Sequence, residues 1–286
     1  MTLLQILVLA VVQGAAELLP VSSSAHVIIA EKLLGLDPTS PEMTLLLVML
    51  HTGTMFAVIL YFWKSWKASF FASPQVFWSS VKLIVIATAL TGVVGLSLKY
   101  IIEKFFMTDH AHAEIELLFG NLTLISASLA AVGIVIIVAG LRSRHGTGEN
   151  TLEVKESSLI GVVQGICLPF RGFSRSGATI STGLLLGVAK ARAEEFSFAL
   201  AVVLTPPVIA REVLRLLKAQ NMPALNITDT AGLFYPGLLG MVFSFVAGLA
   251  ALRWLSSWLE RGRWHFFGIY CLCASLFVFL LKKYGL

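Results

Sequence analysis

Two short stretches hold most of the reactive side chains that this sequence sets inside apolar surroundings. Residues 11–26 carry Gln13, Glu17, Ser22, Ser23, Ser24 and His26, and residues 162–179 carry Arg171, Ser174, Arg175, Ser176 and Thr179. An ionised side chain at membrane depth costs about 2.5–3.5 kcal/mol on insertion scales, so an arginine there calls for an anionic partner. The guanidinium of Arg175 is always charged and its planar fork suits bidentate contact with phosphate oxygens. Ser174, Ser176 and Thr179 can extend that contact into a cradle, and a helix expected to begin near residues 176–179 would add its free backbone N–H groups. In the first stretch Ser23 and His26 are three apart, a spacing that suits a nucleophile and its proton partner, with either residue as the nucleophile. Gln13 and Glu17 are four apart and share a helix face. Glu17 can take a proton from Ser23 or, with Gln13 as a neutral oxygen donor, hold a divalent cation such as Mg²⁺ or Ca²⁺ against phosphate oxygens.

The two stretches are related to each other. Aligned at an offset of 151, residues 11–26 and 162–177 are identical at five of sixteen positions, including Gln13 with Gln164, Gly14 with Gly165 and Ser23 with Ser174. A second echo, offset by 153, pairs Glu42 with Glu195, Leu47 with Leu200, Thr52 with Thr205 and Ala57 with Ala210. The chain therefore reads as one membrane domain, 1–286, of two homologous halves, 1–150 and 151–286. Pro20 interrupts the first motif, and Pro169, Gly172 and Gly177 interrupt the second. Interrupted backbone at membrane depth is tolerated only where protein buries it or it lines a wet cavity. Each half is predicted to open with a re-entrant helix-loop-helix hairpin, at 1–36 and 157–190, followed by three spans. Because three is odd, the second half is inverted. The expected fold is an all-α integral membrane protein with an inverted-topology repeat, six transmembrane helices and two re-entrant hairpins meeting at a central site.

Composition agrees, with 57% hydrophobic and 13% charged residues and a mean hydropathy of +0.86. Those values describe a polytopic membrane protein and exclude a soluble core. Eleven Lys and Arg, including Lys64, Lys67, Arg261 and Arg263, fall on one predicted side against eight on the other. The richer side is read as cytoplasmic, which places both termini outside. All six tryptophans fall on that side, as an interfacial belt would. The net charge of +5 belongs to this topology, and no basic patch with interleaved aromatics points to nucleic acid. The three cysteines have no metal or disulfide spacing. His51, with Thr52 and Thr54, fits either a place below the site or plain packing, and His110 and His112 are expected in a solvated loop.

Gln13-x-x-x-Glu17, the run from Pro20 to His26, and Gly172-Phe-Ser-Arg-Ser-Gly-Ala-Thr179 resemble the signature motifs of the bacterial undecaprenyl-diphosphate phosphatases, the bacitracin-resistance family. The resemblance extends from end to end. It implies an inner-membrane enzyme that removes the terminal phosphate of a C55 polyprenyl diphosphate and regenerates the carrier for cell-wall synthesis, from a site facing the periplasm. It favours Ser23 as nucleophile or its close helper, with His26 moving a proton. The chain has Gln13 where the family often has Glu, and Arg171 where a proline usually precedes the glycine. An oligomer is compatible with all of this. A lipid-phosphate flippase built on the same inverted repeat is the alternative. A transporter needs cations for its cargo but no nucleophile with a proton partner, so Ser23 and His26 beside Glu17 favour the enzyme.

Overall fold

The computed structural model describes residues 1–37, 40–106, 121–143, 152–220 and 230–284; His110 and His112 lie outside them. Ten α-helices follow one another: α1 (Leu3–Leu18), α2 (Ser23–Leu33), α3 (Pro41–Ser69), α4 (Pro74–Phe106), α5 (Leu122–Arg142), α6 (Val154–Cys167), α7 (Arg175–Leu185), α8 (Lys190–Gln220), α9 (Thr230–Glu260) and α10 (His265–Lys283). Among the described residues there are no strands. Six helices, α3, α4, α5, α8, α9 and α10, are long and apolar enough to cross a membrane. The protein is thus a multi-pass membrane protein by the length and composition of its helices.

The other four helices have 16, 11, 14 and 11 residues, short of the ~20 apolar residues a spanning helix needs. They come in two pairs, α1 with α2 and α6 with α7. Each pair is broken where the sequence places its helix breakers. Helix α1 ends at Leu18, just before Pro20, and α6 ends at Cys167, just before Pro169. The turns meet, as the Gly172 N–H donates to Ser24 Oγ at 3.4 Å and Ser176 Oγ donates to the Leu19 carbonyl at 3.5 Å.

The long helices hold these pairs in place. Helix α1 packs on α9, α6 on α4, α3 on α8 and α9, and α5 on α10. Several of these seams depend on the absence of a side chain, two of them beside the short pairs. A Cβ on Gly14 would stand 2.7 Å from both Ser244 O and Ala247 Cβ, and one on Gly165 would stand 2.8 Å from Val94 Cβ and 2.9 Å from Thr91 O. Small residues let helix backbones approach this closely in a membrane, where lipid offers no hydrophobic drive to association. The α4–α6 seam adds polar bonds, with Thr91 Oγ1 donating to Gly161 O at 2.9 Å and Gln164 Nε2 donating to Thr91 Oγ1 at 3.2 Å. Between α5 and α10, Ser126 Oγ donates to Ser275 O at 2.9 Å and Ser275 Oγ returns a bond to Ser126 O at 2.7 Å.

Two local expectations change. Helix α7 begins at Arg175, ahead of the expected start near 176–179, because Ser174 Oγ accepts the Gly177 N–H at 3.2 Å and caps the helix from outside. The tryptophans do not all form a belt. Trp63, Trp78 and Trp254 are exposed, but Trp66 and Trp264 are buried. Each buried indole needs a partner for its N–H: Trp66 donates to Glu195 O at 3.2 Å and Trp264 to Ser181 Oγ at 3.0 Å. Around Trp66 the Glu195 carboxylate also accepts from Ser65 and Ser69 and pairs with Arg192 at 3.4 Å, tying the start of α8 to the end of α3.

Candidate active site

A carboxylate held at a break between two helices is the centre of the site. Glu17 lies in the last turn of α1, one residue before the helix ends. Ser23 is the first residue of α2 and Arg175 the first residue of α7, so both project from helix starts into the gap between the turns. Both grip the same carboxylate. Ser23 Oγ donates to Glu17 Oε2 at 2.6 Å, and Arg175 Nη2 donates to Glu17 Oε1 at 2.9 Å. One turn back on α1, the buried Gln13 donates through Nε2 to Glu17 Oε2 at 3.1 Å. His51 of α3 sets its Nε2 3.7 Å from the same oxygen. The open question about His51 is thereby answered in favour of a place beside the site, with its Nδ1–H anchored on Leu47 O at 2.8 Å.

The helix frame also revises the alignment of the two motifs. Caps Ser22 and Ser174 correspond, which sets Ser23 opposite Arg175 rather than Ser174. The second interval is one residue longer, and Gly172 absorbs it. Its φ of 93° lies in the left-handed region, and a Cβ there would stand 2.6 Å from Ile125 O, so both the turn and the close approach to α5 require glycine.

Glu17, Ser22, Ser23, Ser24, Arg171, Ser174, Arg175 and Ser176 border one cavity of about 200 Å³. Its charged lining is two arginines, Arg171 and Arg175, against one carboxylate, Glu17. Ser174 and Ser176 approach each other at 3.4 Å. The first-turn N–H groups of α7 supply a partial positive charge on the same side.

Two expected members stand elsewhere. Thr179 is fully buried, with its hydroxyl 2.6 Å from Ser197 Oγ of α8 and 2.8 Å from Arg175 O. It braces the helix behind Arg175 and does not border the cavity. His26 faces away from Ser23. Its Nδ1 bonds the Ser22 carbonyl at 2.7 Å and its Nε2 the hydroxyl of Tyr270 at 2.7 Å. Three residues along a helix from Ser23 is about 300°, and here that angle turns the imidazole toward α10. Sequence reasoning did not single out Tyr270, because a tyrosine in an apolar, lipid-facing helix carries no mark of its own.

Among the described residues no three of His, Cys, Asp and Glu gather into a group. Gln13 and Glu17 nevertheless form an oxygen-donor pair of the kind Mg²⁺ or Ca²⁺ takes together with water and phosphate oxygens. Gln13 faces Glu17 Oε2, so rotation of its amide would set the Gln13 oxygen beside that carboxylate oxygen.

Beside the polar cavity run two apolar grooves of about 580 and 570 Å³ that share Val12, His26 and Tyr270. The second is lined by Val11, Ala15, Leu19, Trp254 and Ile269 among others, and Ala16 borders both this groove and the polar cavity.

Known proteins match this chain along its length. The profile of the family described as "Bacitracin resistance protein BacA" covers residues 6–277. A protein of Acinetobacter baylyi named undecaprenyl-diphosphatase 2 is 57% identical over 277 residues, covering 96% of each chain. An undecaprenyl-diphosphatase of Korarchaeum cryptofilum is 33% identical over 98% of this chain and 100% of its own. One of Parabacteroides distasonis is 30% identical over 96% and 97%. With the motif residues drawn to one carboxylate and the family profile spanning nearly the whole chain, this protein belongs to the bacitracin-resistance family.

Proposed function

We propose that the protein hydrolyses undecaprenyl diphosphate to undecaprenyl phosphate and inorganic phosphate, recycling the lipid carrier for the cell wall and so conferring resistance to bacitracin. The observation that carries this reading is the 2.6 Å bond from Ser23 to Glu17, whose other oxygen is held by Arg175. A nucleophilic hydroxyl, its base and a phosphate-binding cation are in contact. The relatives' names supply the substrate class, and the apolar groove that shares Ala16 with the cavity offers a prenyl chain a place beside it.

Ser23 is the nucleophile in this reading, since both nitrogens of His26 are already engaged. Ser23 Oγ attacks the terminal phosphorus as its proton passes to Glu17. The bridging P–O bond breaks, and the prenyl monophosphate leaves with that proton. Glu17 then activates a water that cleaves the Ser23 phosphoester and releases inorganic phosphate. Arg175, the hydroxyls of Ser174 and Ser176 and the N–H groups of α7 hold the phosphoryl oxygens, whose charge is the main obstacle to attack. Helix α8 holds Thr179, and so orients α7 rather than touching substrate. A divalent cation at Gln13 and Glu17 would neutralise further oxygen charge when bound.

The inverted repeat belongs to the same proposal. The packing of α1 on α9 mirrors that of α6 on α4, α3 meets α8, and α5 meets α10 through the reciprocal serines. Isologous contacts of this kind accompany a two-fold relation. The two short pairs are then re-entrant hairpins, one entering from each side, with the site opening outward and both termini outside.

The test is purified protein in detergent with undecaprenyl diphosphate, scored for inorganic phosphate and the monophosphate in equal amounts. Chelator should suppress the rate, and Mg²⁺ or Ca²⁺ should restore it. Lipid crossing a bilayer with no phosphate released would mark a transporter instead.

A further inference from the structure

His26 is held at both ends, and each end has a different consequence. A carbonyl oxygen can only accept, so the 2.7 Å contact with Ser22 O fixes the proton of the neutral ring on Nδ1. Nε2 is then an acceptor, and the hydroxyl at 2.7 Å that donates to it belongs to Tyr270. The two rings also stack, with centroids 5.6 Å apart and planes 15° apart. Ser22, whose carbonyl His26 holds, has a φ of 71° and is the only described residue other than glycine with a positive φ. A side chain in that region is strained and persists only where neighbours enforce it. The residue after this strained turn is Ser23, whose hydroxyl must meet Glu17.

We propose that Tyr270 is a positioning residue: by donating to Nε2 of His26 it fixes the imidazole that pins the Ser22 carbonyl, and so holds the strained turn that delivers Ser23 to Glu17. The connection runs from α10 to the nucleophile through two hydrogen bonds and one peptide. It assigns His26 to the geometry of the turn, with no direct proton exchange with Ser23. Tyr270 borders the two apolar grooves and does not line the polar cavity.

The proposal rests on the hydrolytic reading above, and wild-type turnover of undecaprenyl diphosphate is the control that tests that reading separately. Tyr270→Phe keeps the ring and the stacking and removes only the donor. With the purified variant, kcat is expected to fall about tenfold while KM stays unchanged, by the same factor for a short-chain and a C55 diphosphate. Para-aminophenylalanine at position 270, which restores a donor at the same place, should recover most of the loss. An unchanged kcat, a loss confined to KM, or a loss confined to the long-chain substrate would overturn the assignment; the last two would make Tyr270 a contact for the prenyl chain. A measurement on the wild type needs no variant to fold: ¹⁵N spectra of histidine-labelled protein in bilayers should show His26 with its proton on Nδ1 and Nε2 accepting. A proton on Nε2 instead would break the chain at its first link.

Discussion

The carboxylate of Glu17 accepts Ser23 on one oxygen and Arg175 on the other, which makes the exchange of one fork for one point charge a sharp question. Arg175→Lys retains the charge but cannot bridge Glu17 and a phosphate with two parallel donors. Its kcat should fall by about two orders of magnitude or more, as for a lost transition-state donor, with the protein still recovered from the membrane in normal yield. Steady-state rates and a size-exclusion profile check both halves of that statement. Ser23→Ala should remove turnover almost entirely with little change in KM, whereas Ser174→Ala should cost roughly 10²-fold in kcat plus some stability, because Ser174 Oγ also caps α7. The reverse ranking would move the nucleophile to the second turn. Ser23, Glu17 and Arg175 were legible in sequence because charge and hydroxyls inside apolar helices have few structural uses. Tyr270 was not, since nothing local relates it to a histidine 244 positions earlier. Thr179, expected in the cradle, stands against Ser197 of α8 for a related cause: motif membership does not say which way a helix turns its side chains.

At the scale of elements, the six long helices follow from apolar length alone, and the breaks in the short pairs follow from proline and glycine. What periodicity does not give is partner choice. Which helix faces Gly14 depends on backbone approach, and the sequence signals only that some helix can come close. That dependence can be measured. Gly14→Leu forces a side chain against Ser244 O and Ala247 Cβ, and overpacking of this kind costs about 1–3 kcal/mol, read as a Tm several degrees lower in detergent. Gly92 is the contrast. A Cβ there meets nothing within 4 Å, so Gly92→Ala should leave the Tm unchanged or raise it, because alanine is the better helix residue by about 0.8–1 kcal/mol. Equal losses at the two positions would mean that the α1–α9 seam is not tightly packed.

For the whole molecule, the proposed orientation in the bilayer rests on the charge count and the proposed inverted repeat, and labelling tests it. In a background without Cys167, Cys271 and Cys273, single cysteines at Lys67 and Arg261 should react with a membrane-impermeant maleimide only from the cytoplasm, and one at Lys283 only from outside. The opposite pattern would invert the orientation and turn the site inward. The buried Trp66 and Trp264 show why a residue type cannot settle this: an indole serves an interface or a core equally well, and only its neighbours decide.

The seam between α1 and α9 has a consequence in time. Gly14 is made early and Ser244, the backbone it rests on, comes 230 residues later. At about 5–20 residues per second of synthesis, the first hairpin waits roughly 10–50 s for its partner. Over that interval α1 lacks the helix that its Gly14 face packs against. A nascent chain arrested near residue 230 should therefore cross-link from position 14 to lipid or to the insertion machinery, and one arrested well past residue 290 of an extended chain should cross-link from position 14 to position 244. Were the first contact already protein-to-protein in the shorter chain, the hairpin would have a different partner while it waits.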